Sequence, residues 1–354
     1  MRTTPSTSRR TFLGQVAAGV TAAVTGPTIL ARSDKAGTKR PIVGTGEFTY
    51  EVIHDWGELP AGLKYGNTHG VCEDRQGNIY VHHTVHATSE RHDTMVVFDR
   101  NGKFVRSWGS EFEGGAHGLH IRREGGEEFL YLCDTKRALV TKVTPRGETV
   151  WQLAYPKESA KYPVNADGTP GIKYSPTNVA IAPNGDVYVA DGYGSSFINQ
   201  YDSAGKYLRT FGGKGNGPGQ LDCPHGLTVD TRGATPMLLV ADRSNKRLQT
   251  FSLAGEHLGF VNDFPAPCHF SERHGVMVVP DLFARVTLID KQNRVIEQLG
   301  EAGIDSWKEL RGGPRENFPV GKFVCPHSAC FDHDGNIFVV EWVEVGRVTK
   351  LRRV

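Results

Sequence analysis

Six short segments in this chain place a candidate ligand at the same point of a recurring pattern. They are Thr68-His69-Gly70-Val71, Ala116-His117-Gly118-Leu119, Pro176-Thr177-Asn178-Val179, Pro224-His225-Gly226-Leu227, Pro267-Cys268-His269-Phe270 and Pro326-His327-Ser328-Ala329. Read down the second position, they give His69, His117, Thr177, His225, Cys268 and His327. A lone histidine in a core is usually structural, but four at one repeated position point to a shared task. Imidazoles that converge can bind a metal, shuttle protons or satisfy buried carbonyls. Neutral imidazole suits Zn, Cu, Fe or Ni, and three protein ligands with an open fourth position form the common catalytic zinc arrangement. His69, His117, His225 and His327 are therefore the candidate metal ligands, with a divalent ion, zinc first, as the expected cofactor.

The elements that must position them follow from the repeat. The six starts lie 48, 60, 48, 43 and 59 residues apart. After each comes a turn and a short apolar second strand: residues 78–81, 129–132, 186–189, 237–240, 275–278 and 336–339, rich in Val, Ile, Leu and Tyr. Gly with Asn or Asp in the preceding turns, as at Gly77-Asn78, Gly185-Asp186 and Asp334-Gly335, is hairpin chemistry. Third and fourth strands follow, for example at residues 95–98 and 104–107. Four short strands at this period predict an all-β chain, a six-bladed β-propeller. In that architecture the first strand of each blade is innermost, so the histidines meet at one mouth of the central channel. The last copy ends after three strands, and Phe48 to Trp56 reads as an orphan fourth that closes the last blade and removes two exposed edges.

Other residues receive plainer readings. Asp134, Asp191, Asp242, Asp281 and Glu341 end second strands and are expected to accept hydrogen bonds from turn amides. His83 takes that place in the first blade and reads as a pocket residue. The insertion from Ser306 to Phe318, with Trp307, is a candidate lid over one mouth. Six cysteines would allow three disulfides after export, although single cysteines in apolar strands, such as Cys133, more often pack as small hydrophobes.

The first residues, Ser8-Arg9-Arg10-Thr11-Phe12-Leu13 followed by an apolar, small-residue run to Leu30, have the form of a twin-arginine export signal. The expected division is a signal and linker over 1–40 and a propeller over 41–354, located in the periplasm or secreted. The apolar run is shorter than the roughly 20 residues of a spanning helix, so no membrane association is expected after signal removal. A net charge of +2 with scattered Lys and Arg carries no nucleic-acid footprint. The expected partner is a small molecule or a peptide terminus, and the expected state is a monomer.

The run Tyr207 to Leu221, with its Gly-Asn-Gly-Pro-Gly-Gln-Leu ending, followed by Pro224-His225-Gly226-Leu227, resembles the NHL repeat of six-bladed propellers. With Asp191-Gly192-Tyr193 and the stretch from Val240 to Phe251 added, the chain is similar to peptidyl-α-hydroxyglycine α-amidating lyase. That family cleaves a carbinolamide to a peptide amide and glyoxylate with a three-histidine zinc site. The resemblance implies metal ligands at His117, His225 and His327, a base or orienting role for Tyr193, and a pocket role for Arg243. Two departures stand out. The family has an arginine after a histidine in its first blade, where this chain has His82-His83-Thr84-Val85, and an aspartate that helps hold calcium where this chain has Ser328. Calcium is therefore not carried over. Two functions follow from the whole: a metal-dependent lyase or hydrolase, or a non-catalytic NHL propeller that binds a small ligand or partner protein.

Overall fold

The computed structural model describes residues 30–33, 39–303 and 306–354. The twin-arginine motif and the apolar run up to residue 29 lie outside the described residues. The chain forms six antiparallel sheets, and each of five has four strands in sequence order from the inside outward. These are blades 1 to 5, spanning residues 68–108, 116–153, 178–212, 224–261 and 271–299. Blade 6 holds Pro326–Phe331, Ile337–Glu341 and Arg347–Arg353. Its fourth strand is Tyr50–His54, paired antiparallel to Arg347–Arg353 with Val52 opposite Leu351. The N-terminal strand thus closes the last blade.

Local chemistry explains the hairpins. At the turns between first and second strands, Asp74 accepts the Gln76 and Asn78 amides, and Asp332 accepts those of Asp334 and Asn336. Asp99, Asp202 and Asp290 do the same between third and fourth strands of blades 1, 3 and 5. A carboxylate that bonds amides two and four residues on replaces a turn of ladder hydrogen bonds. Second strands are covered on both faces, so they read as continuous apolar runs; all of Val187–Ala190 is buried. Fourth strands face solvent on one side, and Leu208 keeps 42% of its surface exposed.

The core lies between blades rather than in one centre. Trp56, Val71, Val81, Phe98, Phe338 and Val348 fill the seam of blades 6 and 1. Val43, Val52, Leu288, Leu299 and Leu351 fill that of blades 5 and 6.

Two boundaries differ from the sequence reading. The closing strand is Tyr50–His54 and is preceded in the same sheet by Lys39–Val43 and Leu30–Ser33. The strands Leu30–Ser33 and Lys39–Val43 thus carry part of the stretch 1–40 into the blade 6 sheet, next to the buried Ile42 and Val43. In blade 5 the innermost strand is only Ser271–Arg273, so Cys268 stands before it, held by its amide to the Pro280 carbonyl.

All six cysteines are free and buried, so no disulfide staples the blades. Closure rests on the strand pair and on apolar burial. Leu351 is fully buried at the closing seam. Leu351→Ala is expected to cost about 2–5 kcal/mol in urea unfolding, whereas Leu208→Ala on an outer strand should stay within about 0.5 kcal/mol. Equal small losses at both sites would show that the seam does not hold the ring together.

Candidate metal centre

The four histidines share one backbone feature. The pairing of first and second strands shifts register between Thr68 and Gly70, Ala116 and Leu119, Pro224 and Leu227, and Pro326 and Ser328. Each shift spans one of the histidines. Blades 3 and 5, which carry Thr177 and Cys268 instead, pair without a shift. A bulge frees one residue from the ladder and re-aims its side chain. Here it turns each imidazole toward its counterparts on the other blades.

Three of the imidazoles are then locked by the neighbouring blade. Nδ1 of His117 lies 2.7 Å from the Thr177 carbonyl, Nδ1 of His225 is 3.0 Å from that of Cys268, and Nδ1 of His327 is 2.8 Å from that of His69. A carbonyl only accepts, so each Nδ1 carries the proton and each Nε2 is left with a free lone pair. Glycine makes this approach possible. A Cβ on Gly226 would stand 2.2 Å from the Cys268 oxygen, and one on Gly118 would stand 2.4 Å from that of Thr177.

The rings form a compact cluster. Centroids of His117, His225 and His327 are 4.7 to 4.9 Å apart in all three pairs. His69 packs on the opposite side of the His117–His327 edge, at 4.7 and 4.6 Å. The ligand atoms of His69, His117 and His327 all lie within 4.8 Å of one another. This grouping differs from the set implied by resemblance, in that it holds His69 in place of His225. The two share His117 and His327, and the carbonyl anchors set His117, His225 and His327 apart as the preorganised three. His69 is the odd member: its Nδ1 faces the His327 Nε2 at 3.4 Å, so without a metal it must donate there.

Burial, the largest influence on each, holds the imidazoles below the usual histidine range: His117 down to about 3, and His69, His225 and His327 well below. All four are neutral at pH 7, the form that ligates. Such a donor set, with neutral nitrogens on rigid strands and oriented by second-layer carbonyls, fits a divalent transition metal.

Tyr193 and Arg243 lie beside the cluster, each in the loop after the second strand of its blade. The Tyr193 hydroxyl is 3.2 Å from Nε2 of His117 and 3.1 Å from Nε2 of His225. Nη1 of Arg243 lies 3.4 Å from that hydroxyl, and Nη2 lies 3.2 Å from the Cys223 sulfur. Burial raises the Tyr193 phenol, while the Arg243 charge pulls it back. His69, His117, His225, His327, Tyr193 and Arg243 thus lie together.

His83 does not join them. Its Nδ1 accepts the Val85 amide, the task that carboxylates perform in the other blades: Asp191 takes the Ser175 and Ser195 amides, and Glu341 those of Val324 and Cys325. Three neighbours escaped the sequence reading. Phe283 lies two residues after Asp281, as Tyr193 does after Asp191, and Trp342 directly follows Glu341, as Arg243 follows Asp242. Trp307 of the helix Ser306–Leu310 stacks on Phe283, and Arg311 lies 3.5 Å over Trp342. Position after the acidic strand end was the available signal.

Fold and site together define an all-β, six-bladed propeller with a cluster of neutral histidines at one end of its innermost strands. The chain is similar to NHL-repeat proteins and to amidating enzymes. It is 27% identical over 231 residues to human NHL repeat-containing protein 3, covering 61% of this chain and 63% of that protein. It is 32% identical over 169 residues to mouse peptidyl-glycine alpha-amidating monooxygenase, 45% of this chain and 16% of that one. With Drosophila melanogaster peptidyl-alpha-hydroxyglycine alpha-amidating lyase 1 it shares 27% over 237 residues, 57% of this chain and 40% of that one. In each case the chain spans less than two thirds of the relative's own length. No family model matches. Among solved structures, a streptogramin B lyase superposes with a TM-score of 0.57 at 11% identity, over 85% of this chain and 97% of that chain. Virginiamycin B lyase from Staphylococcus aureus gives 0.53 at 12%, over 86% and 100%. At such identities the likeness is one of fold.

Buried neutral histidines have a consequence for stability. In the layer around the cluster, burial lowers His82 to about 4, His83 to about 3 and His269 to about 4. Between those values and about 6.5, the unfolded chain binds protons that the folded one refuses. Stability is therefore full above pH 6.5 and lost on acidification, by up to about 1.4 kcal/mol per pH unit for each group. The urea midpoint should fall clearly from pH 7 to pH 5; equal midpoints would mean that these rings are solvated.

Proposed function

We propose that this chain is an exported, metal-dependent lyase that breaks the C–N bond of a carbinolamide, as the names of its amidating relatives suggest, at the mouth of the propeller channel. The observation that carries the reading is the convergence of three Nδ1-anchored imidazoles with the Tyr193 hydroxyl, which is within 3.2 Å of two of their free nitrogens. Export rests on the Arg9-Arg10 segment.

Nε2 of His117, His225 and His327 would hold the metal, zinc by preference, with Nδ1 of His69 as a fourth donor. A bound divalent ion would supply Lewis acidity toward the substrate hydroxyl. The rest falls to the chain's own groups. Tyr193, kept protonated by burial, is suited to a concerted relay. Its oxygen accepts the hydroxyl proton of the carbinolamide while its own proton passes to the amide nitrogen. As that C–N bond breaks, the hydroxyl carbon becomes the aldehyde of glyoxylate and the nitrogen leaves as a primary amide. Arg243 holds the phenol in place through its 3.4 Å contact and balances negative charge on its oxygen.

Protein purified after export should carry close to one equivalent of metal, lost in His225→Ala. It should also release glyoxylate from a peptide ending in α-hydroxyglycine. Tyr193→Phe should keep the metal and lower turnover by about 10²–10⁴-fold. Metal-free protein whose stability ignores chelators would instead favour the non-catalytic, ligand-binding propeller.

A further inference from the structure

The insertion between blades 5 and 6 brings a second arginine to the site. Arg311 follows the helix Ser306–Leu310, with its amide bonded to the Trp307 carbonyl. Its guanidinium carbon lies 3.5 Å from the Trp342 ring centroid, and Nη2 donates to Oδ1 of Asn67 at 3.2 Å. Asn67 is two residues before His69.

The fork is poorly satisfied by the protein. Nη1 forms only a 3.6 Å ion pair with Glu344, whose side chain is 58% exposed. Nε is buried and has no acceptor at all. Single nitrogens of Arg106, Arg247, Arg285 and Arg347 are buried without an acceptor too, and what sets Arg311 apart is its contact with Asn67. That contact ties this charge to the chain two residues before His69. Arg243 reaches the other side of the site from blade 4, through the Tyr193 hydroxyl. Arg243, in contact with the Tyr193 hydroxyl, and Arg311, in contact with Asn67, thus place two guanidiniums beside four neutral imidazoles. A site with this field selects an anion.

We propose that Arg311 is the carboxylate-recognition residue of this site, binding the acid group of a small α-hydroxy acid derivative whose hydroxyl is turned toward the histidine cluster. This rests on the proposed lyase reading for the location of the reacting atoms, but not for the binding itself. Arginine is suited to the role because its planar fork grips both oxygens of a carboxylate, and Trp342 packs beneath it. The residue is delivered by a segment that has no counterpart in the other blades.

The test is a binding titration followed by tryptophan fluorescence, since Trp342 lies under the guanidinium. Two pairs of probes serve: N-benzoyl-α-hydroxyglycine with its methyl ester, and mandelate with mandelamide. Full-length protein should bind each acid more tightly than its neutral partner by about ten- to a hundred-fold. Arg311→Met should abolish that ratio and leave affinity for the neutral partner unchanged. Arg311→Lys should retain part of it, as a point charge without the fork. A purely structural role would weaken acid and neutral forms alike, and would overturn the proposal, as would an undiminished ratio in Arg311→Met. If only mandelate shows the Arg311-dependent preference, carboxylate recognition stands and the hydroxyglycine substrate falls. If wild type prefers neither acid, the proposal is overturned.

Discussion

Everything at this site depends on a hydrogen bond between blades. An imidazole Nδ1–H on one innermost strand meets the carbonyl of the next-blade residue at the corresponding place, three times around the ring: His117 to Thr177, His225 to Cys268, His327 to His69. The bond fixes tautomer, ring plane and the direction of the free nitrogen at once. It requires strands of adjacent blades to approach more closely than side chains normally allow, and the glycine after the histidine permits that at Gly118 and Gly226. It also requires the ring of blades to stay closed, since the His327 bond crosses from blade 6 to blade 1. Closure in turn comes from the pairing of Tyr50–His54 with Arg347–Arg353. A strand near residue 52 thus supports a hydrogen bond near residue 327.

The energetic arrangement has a matching logic. Placing several imidazoles in a dry interior is tolerable only because they are neutral, and burial itself keeps them so. The acidic groups sit one layer out, at the ends of second strands, where their lone pairs are taken up by backbone amides. Glu341 goes further, pairing in the interior with Arg347, which also donates to the Lys322 carbonyl. Such a pair is costly to break and only modestly favourable to make, so its value is in holding the loop from Lys322 to Cys325 in one conformation. That loop leads directly into His327.

The architecture was legible because each blade repeats the same burial problem: an inner strand at one radius, a doubly covered second strand, a half-exposed outer one. Periodicity therefore revealed the six blades, and the recurrence of His69, His117, His225 and His327 revealed the cluster. Tyr193 and Arg243 came from resemblance. What stayed hidden depended on the third dimension. The bulges cannot be counted from sequence, because a register shift leaves the alternation of apolar residues almost unchanged. Arg311 lies in an insertion that repeats nowhere, so no periodicity marks it. His83 was misread for a related reason: an imidazole lone pair can do the carboxylate's job toward a turn amide, and residue type alone does not say which.

The alternation around the ring also separates the four histidines into two kinds. Blades 2, 4 and 6 supply anchored imidazoles; blades 3, 5 and 1 supply the carbonyls that anchor them. Thr177 and Cys268 fill the second role with side chains turned elsewhere, Thr177 Oγ1 bonding the Pro224 carbonyl and the Cys268 thiol that of Ala266. His69 fills it too, through its own carbonyl, and so its imidazole is an addition to an already complete threefold set. No protein carbonyl fixes its tautomer. Its Nδ1 proton is directed at the His327 lone pair, the same lone pair that a metal would take. Ligation at His327 would break that contact and free His69 to shift its proton to Nε2 and offer Nδ1 as a ligand. The protein fixes the tautomers of the three anchored imidazoles through carbonyls, and His69, two residues after the Asn67 that holds Arg311, is the member left without such an anchor.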